Sequence, residues 1–450
     1  MSSSAKLTTG DIRGHLIGQT LPTTFGVAAL MSVALLNAYY IGKLGSAELA
    51  AVAFIFPVVI ALSSLGVGVM VGINSVIARS LGAGDVAQAA RRANFGAVFA
   101  VVMGVVLGLV LYLLIDPLFR LMQASEGLRP LIRQFMVPYA LGLPLLLLQM
   151  ALGGVMRGLG EAKANSLISL AYALANWAFN PILITGAFGL GGFGLAGAAY
   201  AMVGGYALSC VLALAYIART PQPINPALIR ECRIGESARA IVRVAGPAAL
   251  SNAINPIGLS VLTALLASEG EAAVAGFGAA GRLQSFAVVP LLALSGSIGA
   301  IVGQNWGAGQ GDRARRALRE ASLFCVLYGL TIGALLWLWG DWFAGLFSAD
   351  PAVIREFSAY LSISVWGYAG FGLLIVANGA LNAVDRSTFA LAQSLARVAL
   401  LMLPFAWLLR GAWGAQAIYG AELVANLGGG LLAAYVAWRV LSNDPPTARD

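Results

Sequence analysis

The sequence predicts an all-α integral membrane protein of twelve transmembrane helices in two pseudo-twofold-related six-helix bundles. Three observations carry this. Apolar runs longer than about 18 residues recur along the chain, in which 59% of residues are hydrophobic and 10% charged. These runs are continuous, whereas strands of a membrane barrel would alternate in segments of about 10 residues. The chain also repeats itself at an offset of 225 residues, half of its 450.

The repeat is clearest at Gly303-Gln304-Asn305-Trp306-Gly307-Ala308-Gly309, whose twin is Ala78-Arg79-Ser80-Leu81-Gly82-Ala83-Gly84. At the same offset Pro22 falls on Pro247, Arg91 on Arg316, Gly154 on Gly379, and Gly186-Ala187-Phe188-Gly189 on Gly411-Ala412-Trp413-Gly414. Matches spread over a whole half in one register mean two copies of one unit. A six-span unit can be duplicated only in the same orientation. The expected result is two parallel lobes about an axis along the membrane normal, with the working site between or inside them.

Spans are placed near 16–41, 49–77, 93–115, 131–156, 164–187, 193–217, 242–266, 272–303, 320–339, 357–382, 388–409 and 414–439. The expected domains are a tail at 1–15, a lobe at 16–217, a linker at 218–241, a second lobe at 242–439 and a tail at 440–450. With the N-terminus inside, and the first and last three residues of each span counted with the adjoining segment, 19 of the 27 Lys and Arg fall in inner segments, 6 in outer ones and 2 deep within spans. The cell's inner membrane is the expected location, and that bias puts both termini in the cytoplasm. It also accounts for the net charge of +8 without a nucleic-acid partner. No cleavable signal peptide is visible, because Lys6 to Thr20 is too polar and the first apolar run continues as a span.

Taken in order, residues 1–15 read as a polar, mobile tail. His15 enters the interface and reads as a solvated side chain. The first span holds Pro22 in its first turn, where a missing N–H is harmless, and then Asn37, Tyr39 and Tyr40. Asn37 lies in hydrocarbon by position and must face a partner or water. The second span is glycine-rich (Gly66, Gly68, Gly72), which allows close helix contact. The third ends at Asp116-Pro117 and the fourth at Met156-Arg157-Gly158. In the fifth, Asn176 and Asn180 share a helical face with Tyr172. Pro181 follows and frees a backbone carbonyl beside the amide, so the four residues read as a polar cup or as interhelical hydrogen bonding.

The linker holds Pro221, Pro223 and Pro226 and fixes topology. The seventh span carries Pro247, Asn252, Asn255 and Pro256. At the twin position of Asn255 stands Leu30, and at that of Asn37 stands Leu262. Arg282 in the eighth span and Arg397 in the eleventh lie about 15 Å deep at 1.5 Å per residue. Glu422 in the twelfth is the one carboxylate placed well inside a span. Intramembrane charges are functional by default, and at least one Glu422–Arg pairing is expected. The surplus Arg makes the second lobe's interior cationic. Cys210, Cys232 and Cys325 are scattered, with no spacing for a disulfide or metal site.

The duplicated Leu81-Gly82-Ala83-Gly84 and Gln304-Asn305-Trp306-Gly307-Ala308-Gly309, the exit Tyr39-Tyr40-Ile41-Gly42-Lys43-Leu44-Gly45, and Arg157-Gly158-Leu159-Gly160 together resemble the multidrug and toxic compound extrusion (MATE) family, over about 20 to 440. The resemblance implies twelve helices in two lobes. It further implies export of organic, often cationic, compounds by antiport against protons or sodium ions. No other cofactor is implied, and a monomer in the lipid bilayer is expected. The chain departs from the family at its ionisable positions. Asn37 stands for a first-span aspartate. Asn176-x-x-x-Asn180-Pro181 stands for Asn-x-x-x-Asp-Pro, with only Asn176 carried over. Asn255 stands for a seventh-span glutamate and Phe371 for its tenth-span partner. An amide cannot titrate, so the usual ion positions are neutralised.

The expected mechanism is alternating access, with cargo in a central cleft. The glycine-rich second and eighth spans would bend, with Pro22, Pro181, Pro247 and Pro256 as hinge candidates. Coupling is expected at Glu422, paired with Arg282 or Arg397, and the cationic lobe suits anionic or zwitterionic cargo. A lipid-linked saccharide flippase of the same two-lobe plan is the alternative, kept open by the two arginines. A major-facilitator carrier should show Asp-Arg-x-Gly-Arg-Arg, where Asp85 is instead followed by Val86 and Ala87. An enzyme is not expected, with one His and no paired buried acids or metal cluster.

Overall fold

A computed structural model describes residues 5–189, 191–220 and 233–442. The described chain is helical and contains no strand among those residues. Its first seven helices are α1 (Ile12–Gly42), α2 (Ser46–Gly82), α3 (Val86–Leu121), α4 (Arg129–Gly158), α5 (Ala162–Thr185), α6 (Leu195–Ile217) and α7 (Ile234–Leu266). There follow α8 (Glu271–Ala287), α9 (Val289–Gly307), α10 (Gly311–Leu338), the short α11 (Gly340–Phe347), α12 (Pro351–Ser364), α13 (Tyr368–Ala383), α14 (Ser387–Ala396), α15 (Leu403–Trp413) and α16 (Ala415–Ser442). Eleven segments are long and apolar enough to cross a membrane. The pair α8 and α9, bent by 45°, makes a twelfth. Each span expected from sequence is found. Half of the linker, residues 221–232 with Cys232, lies outside the described residues.

The helices form because apolar side chains in a bilayer leave the backbone no partner but itself. Local signals set their ends. The Asp85 side chain accepts from Gln88 N at 2.7 Å and caps α3. Asp350 accepts from Ala352 N at 2.8 Å and, with Pro351 behind it, starts α12. Packing follows residue size. In α3 the large side chains Val102, Val105, Val106, Leu109 and Leu113 are exposed at helical spacing, while Ala93, Ala97, Ala100, Gly104 and Gly108 are buried. Small residues face the protein and bulky ones face outward, the reverse of a water-soluble helix.

Packing divides the chain into two compact units, Phe25–Ala249 and Ala5–Thr24 with Leu250 onward. The division falls inside α1 and inside α7, in each case two residues past a twin proline, Pro22 or Pro247. The internal repeat is visible in the backbone. Gly84 and Gly309 both turn with positive φ after their helices. Gly160 (φ 77°) is matched at the same offset by Asp385 (φ 62°), a residue whose short polar side chain tolerates that conformation. A Cβ on Gly154 would meet the Met70 carbonyl oxygen at 2.5 Å, and one on Gly379 the Ser295 carbonyl oxygen at 2.6 Å. Met70 and Ser295 are themselves 225 residues apart.

Two sequence readings need correction. The quadruplet at 186–189 is out of register with 411–414. Gly194 (φ 57°, ψ −132°) precedes α6 as Gly414 (φ 54°, ψ −135°) precedes α16, so the loop after α5 has gained residues. Pro22 also does not lie in a first turn. The helix begins ten residues earlier, at Ile12, and Pro22 deprives the Gly18 carbonyl of a helical donor.

Nor do residues 5–15 trail as a loose tail. Leu7 and Ile12 are buried with α9, α10 and α13. Leu7 N donates to Gln304 Oε1 at 3.1 Å, Asn305 Nδ2 donates to Leu7 O at 3.0 Å, and Arg313 donates to Gly10 O at 2.9 Å. Arg13 pairs with Glu320 at 2.9 Å. The Gln304-Asn305 motif therefore holds the start of the chain, and its amides are fully buried because they are consumed there.

Gly154→Val and Gly379→Val should each destabilise by roughly 1–3 kcal/mol through overpacking against backbone. Thermal unfolding in detergent should show a lowered midpoint for both, whereas Gly14→Val, where nothing lies within 4 Å, should leave it unchanged.

Candidate functional site

Polar side chains gather inside each unit. In the first, Asn180 Nδ2 on α5 donates to Asn37 Oδ1 on α1 at 2.5 Å, so two of the sequence candidates meet. Asn176 donates to the Tyr172 carbonyl one turn back at 2.9 Å. Tyr172 stacks on Tyr206 of α6 with ring centroids 5.4 Å apart. Asn176 and Asn180 are fully buried, and their Oδ1 atoms, with Ser209 Oγ, have no protein partner. Pro181 lies inside α5, beside this cluster. Tyr39 does not join it. Two residues on from Asn37, it turns to the other side of α1, is 57% exposed, and carries Lys43 Nζ 4.4 Å from its ring centre.

The second unit holds a cavity of about 190 Å³, lined by residues that include Asn255, Phe277, Gln284, Tyr360, Phe371 and Glu422. The unit also holds three helix irregularities. The bend between α8 and α9 falls at Val288, itself a lining residue. A 3-10 turn at Val365–Gly367 separates α12 from α13. A π-helical segment, Arg397–Met402, joins α14 to α15. Such π segments are rare and concentrate at functional sites. In the first unit α2 to α6 are each continuous. The lobes therefore differ in regularity where their interiors differ in sequence.

Glu422 is 2% exposed. Gln284 Nε2 is 2.6 Å from its Oε1 and Tyr360 Oη is 2.7 Å from its Oε2. Tyr360 also touches Gln284 Oε1. The expected ion pair is not formed: among the described residues no salt bridge joins Glu422 to an arginine. Arg397 Nη1 and Nη2 instead both donate to Asn255 Oδ1, at 3.0 and 2.9 Å, and its guanidinium lies 5.6 Å from the centre of the Phe371 ring. A neutral amide oxygen that accepts both donors of one fork holds the cation without cancelling its charge. Arg282 is exposed and does not line the cavity. On α8 it lies two residues from Gln284, about 160° round the helix. Pro256 follows Asn255 inside α7.

Gln284, Tyr360 and Phe277 are among the lining residues that sequence reasoning passed over. Gln284 had a signal, a polar side chain within an apolar run. Tyr360 had none, being one of 13 tyrosines with no pattern to set it apart. Asn255→Ala should cost about 1.5–3 kcal/mol, because Arg397 loses its acceptor in a buried site. Arg397→Met in the same chain should recover most of that loss. A double-mutant cycle of thermal unfolding in detergent measures this, and additive losses would show that the two side chains do not interact.

The MatE family profile matches residues 22–182 and 247–408, one match per repeat. The FAD transporter of Shewanella oneidensis is 31% identical over 438 residues, 97% of this chain and 96% of its own. A probable multidrug resistance protein, NorM of Pseudomonas aeruginosa, is 29% identical over 91% of this chain and 84% of its own. Among solved structures, a mutant form of the Vibrio cholerae MATE transporter VcmN superposes with a TM-score of 0.90 at 27% identity, covering 98% of both chains. Members of the family are transporters and not enzymes. The profile match in both halves, the near full-length relatives and the shared fold agree that this chain belongs to the MATE family of membrane transporters.

Proposed function

We propose that the chain exports small organic compounds by alternating access, as an antiporter driven by a proton gradient, with Glu422 as the coupling carboxyl. One observation carries the reading. The positions at which the family resemblance implies acids hold Asn37, Asn180, Asn255 and Phe371, and Glu422 is the carboxyl buried at a cavity among helix irregularities. Only a group that gains and loses charge can tie a proton gradient to a two-state protein. The cavity is smaller than the roughly 300–1,000 Å³ that encloses a drug-sized ligand, so it suits a proton or ion better than whole cargo. Pro22, Pro181, Pro247 and Pro256 supply places where helices can bend. The protein acts as a monomer in the inner membrane with both termini cytoplasmic, the orientation that the Lys and Arg distribution favours.

A specific observation favours anionic cargo over the cations expected of the family. The positions at which the resemblance implies acids hold none, while Arg397 is buried on the amide oxygen of Asn255 and, among the described residues, in no salt bridge. The relative at 31% identity is an FAD transporter, and FAD carries an anionic diphosphate. Export of FAD or a similar anionic dinucleotide is therefore the reading of cargo.

In sealed vesicles with proton and sodium gradients imposed separately, the proton gradient should drive efflux and the sodium gradient should not. Glu422→Gln should reduce proton-driven efflux to the level of vesicles without protein, and full retained transport would refute the coupling role. In the same vesicles FAD and anionic dyes should be carried faster than ethidium, and a preference for ethidium would refute the cargo reading.

A further inference from the structure

The three contacts among Glu422, Tyr360 and Gln284 form a closed ring, in which the hydrogens needed can be counted against those the side chains own. The ring has three edges: Glu422 to Gln284, Gln284 to Tyr360, and Tyr360 to Glu422. Each edge joins two heavy atoms at hydrogen-bond distance and needs one hydrogen. Tyr360 owns one hydroxyl hydrogen and can serve one edge. Gln284 meets one neighbour through nitrogen and the other through oxygen, so it too serves one edge. The third hydrogen must belong to Glu422.

This count does not depend on which way the amide is drawn. With Gln284 Nε2 toward Glu422, Tyr360 must donate to Gln284 Oε1, and Glu422 must donate to the tyrosine oxygen. With the amide reversed, Gln284 donates to Tyr360, Tyr360 donates to Glu422 Oε2, and the other Glu422 oxygen must donate to Gln284 Oε1. An ionised Glu422 would leave two lone pairs facing one another along one edge, in a buried site where water cannot screen them.

We infer that the conformation described here is the proton-bound one, with the proton held on Glu422 by a hydrogen-bond ring that Tyr360 and Gln284 complete. The inference rests on the reading of Glu422 as the coupling carboxyl and supplies the residues that make it a proton site rather than a cation site. The titratable and charged groups around Glu422 are few. Tyr360 is on α12, Tyr368 on α13 is within electrostatic reach, and Arg397 on the π segment is likewise within reach. Tyr419, on the same helix, turns to Glu356 at 2.8 Å. When the proton leaves Glu422 for water, the carboxylate and Arg397 become opposite charges in one low-dielectric pocket. Arg397 then exchanges Asn255 for Glu422, and the two helix irregularities that carry Arg397 and flank Tyr360 are where the change is absorbed. The ion pair expected from sequence belongs to that second state.

Difference infrared spectroscopy of the purified protein in lipid nanodiscs, titrated from acid to alkaline pH, tests the site without transport. The wild type should show the carbonyl band of a hydrogen-bonded carboxylic acid that vanishes as pH rises and is missing from Glu422→Gln. Tyr360→Phe, which keeps the acid, should move that band to higher frequency, because the ring is broken. It should also cut proton-driven efflux about tenfold or more, the effect of one buried hydrogen bond, while cargo binding persists. If no band is assigned to Glu422, or if Tyr360→Phe leaves the band unmoved, the ring inference is overturned even when a proton gradient drives efflux. If the band behaves as expected but only sodium drives efflux, the ring stands and the coupling reading falls. Should Glu422→Gln not fold, Glu422→Asp replaces it, since its shorter acid must also shift the band.

Discussion

Hydrocarbon offers no hydrogen bonds, so every polar group carried into this protein's interior must be answered by the protein itself. The rest of the structure follows from that constraint. It turns the apolar runs into helices, since only a helix satisfies its own backbone. It puts glycine and alanine where helices meet, because bulky side chains gain nothing by turning from lipid to protein. It also makes each buried amide and charge a decision. Asn37 and Asn180 answer each other, Asn255 answers Arg397, and Gln284 and Tyr360 answer Glu422.

Duplication kept one part of the molecule and released another. The turns at Gly84 and Gly309, the close approaches at Gly154 and Gly379, and the prolines at 22 and 247 recur because backbone geometry admits few residues there. Asp385 in place of a glycine shows that the conformation is what persists. The interiors were free to diverge. One unit has an uncharged cluster of asparagines and tyrosines among continuous helices. The other has an acid and an arginine among a bend, a 3-10 turn and a π segment. The buried acid and the buried arginine Arg397 thus both lie in the unit with the irregular helices.

That chemistry differs from the one the family resemblance implies. Where acids are replaced by Asn37, Asn180, Asn255 and Phe371, an ionisable group has to be found elsewhere for a gradient to act on. In the proposed mechanism Glu422, on another helix, is that group. Asn255 takes on a new task there, holding an arginine through one carbonyl oxygen, and Phe371 offers its ring face to the same cation. The resulting pocket has a positive charge that is held but not cancelled. This sets the electrostatic terms for whatever the transporter carries.

The sequence alone determined the twelve spans, the duplication and the family, because hydrophobic length, a fixed offset and glycine turns are local properties that no packing can hide. It also singled out Asn37, Asn176, Asn180, Arg397 and Glu422, since a polar residue in a bilayer is conspicuous wherever it falls. What it could not determine was who meets whom. It paired Glu422 with an arginine because opposite charges attract. The fold instead brought Gln284 and Tyr360 to the acid and Asn255 to Arg397, residues 138, 62 and 142 positions away. It left residues 1–15 loose, although their hydrogen-bond partners lie near 300. Helical periodicity fixes which face a side chain occupies, but only the tertiary packing of helices distant in sequence decides what that face touches.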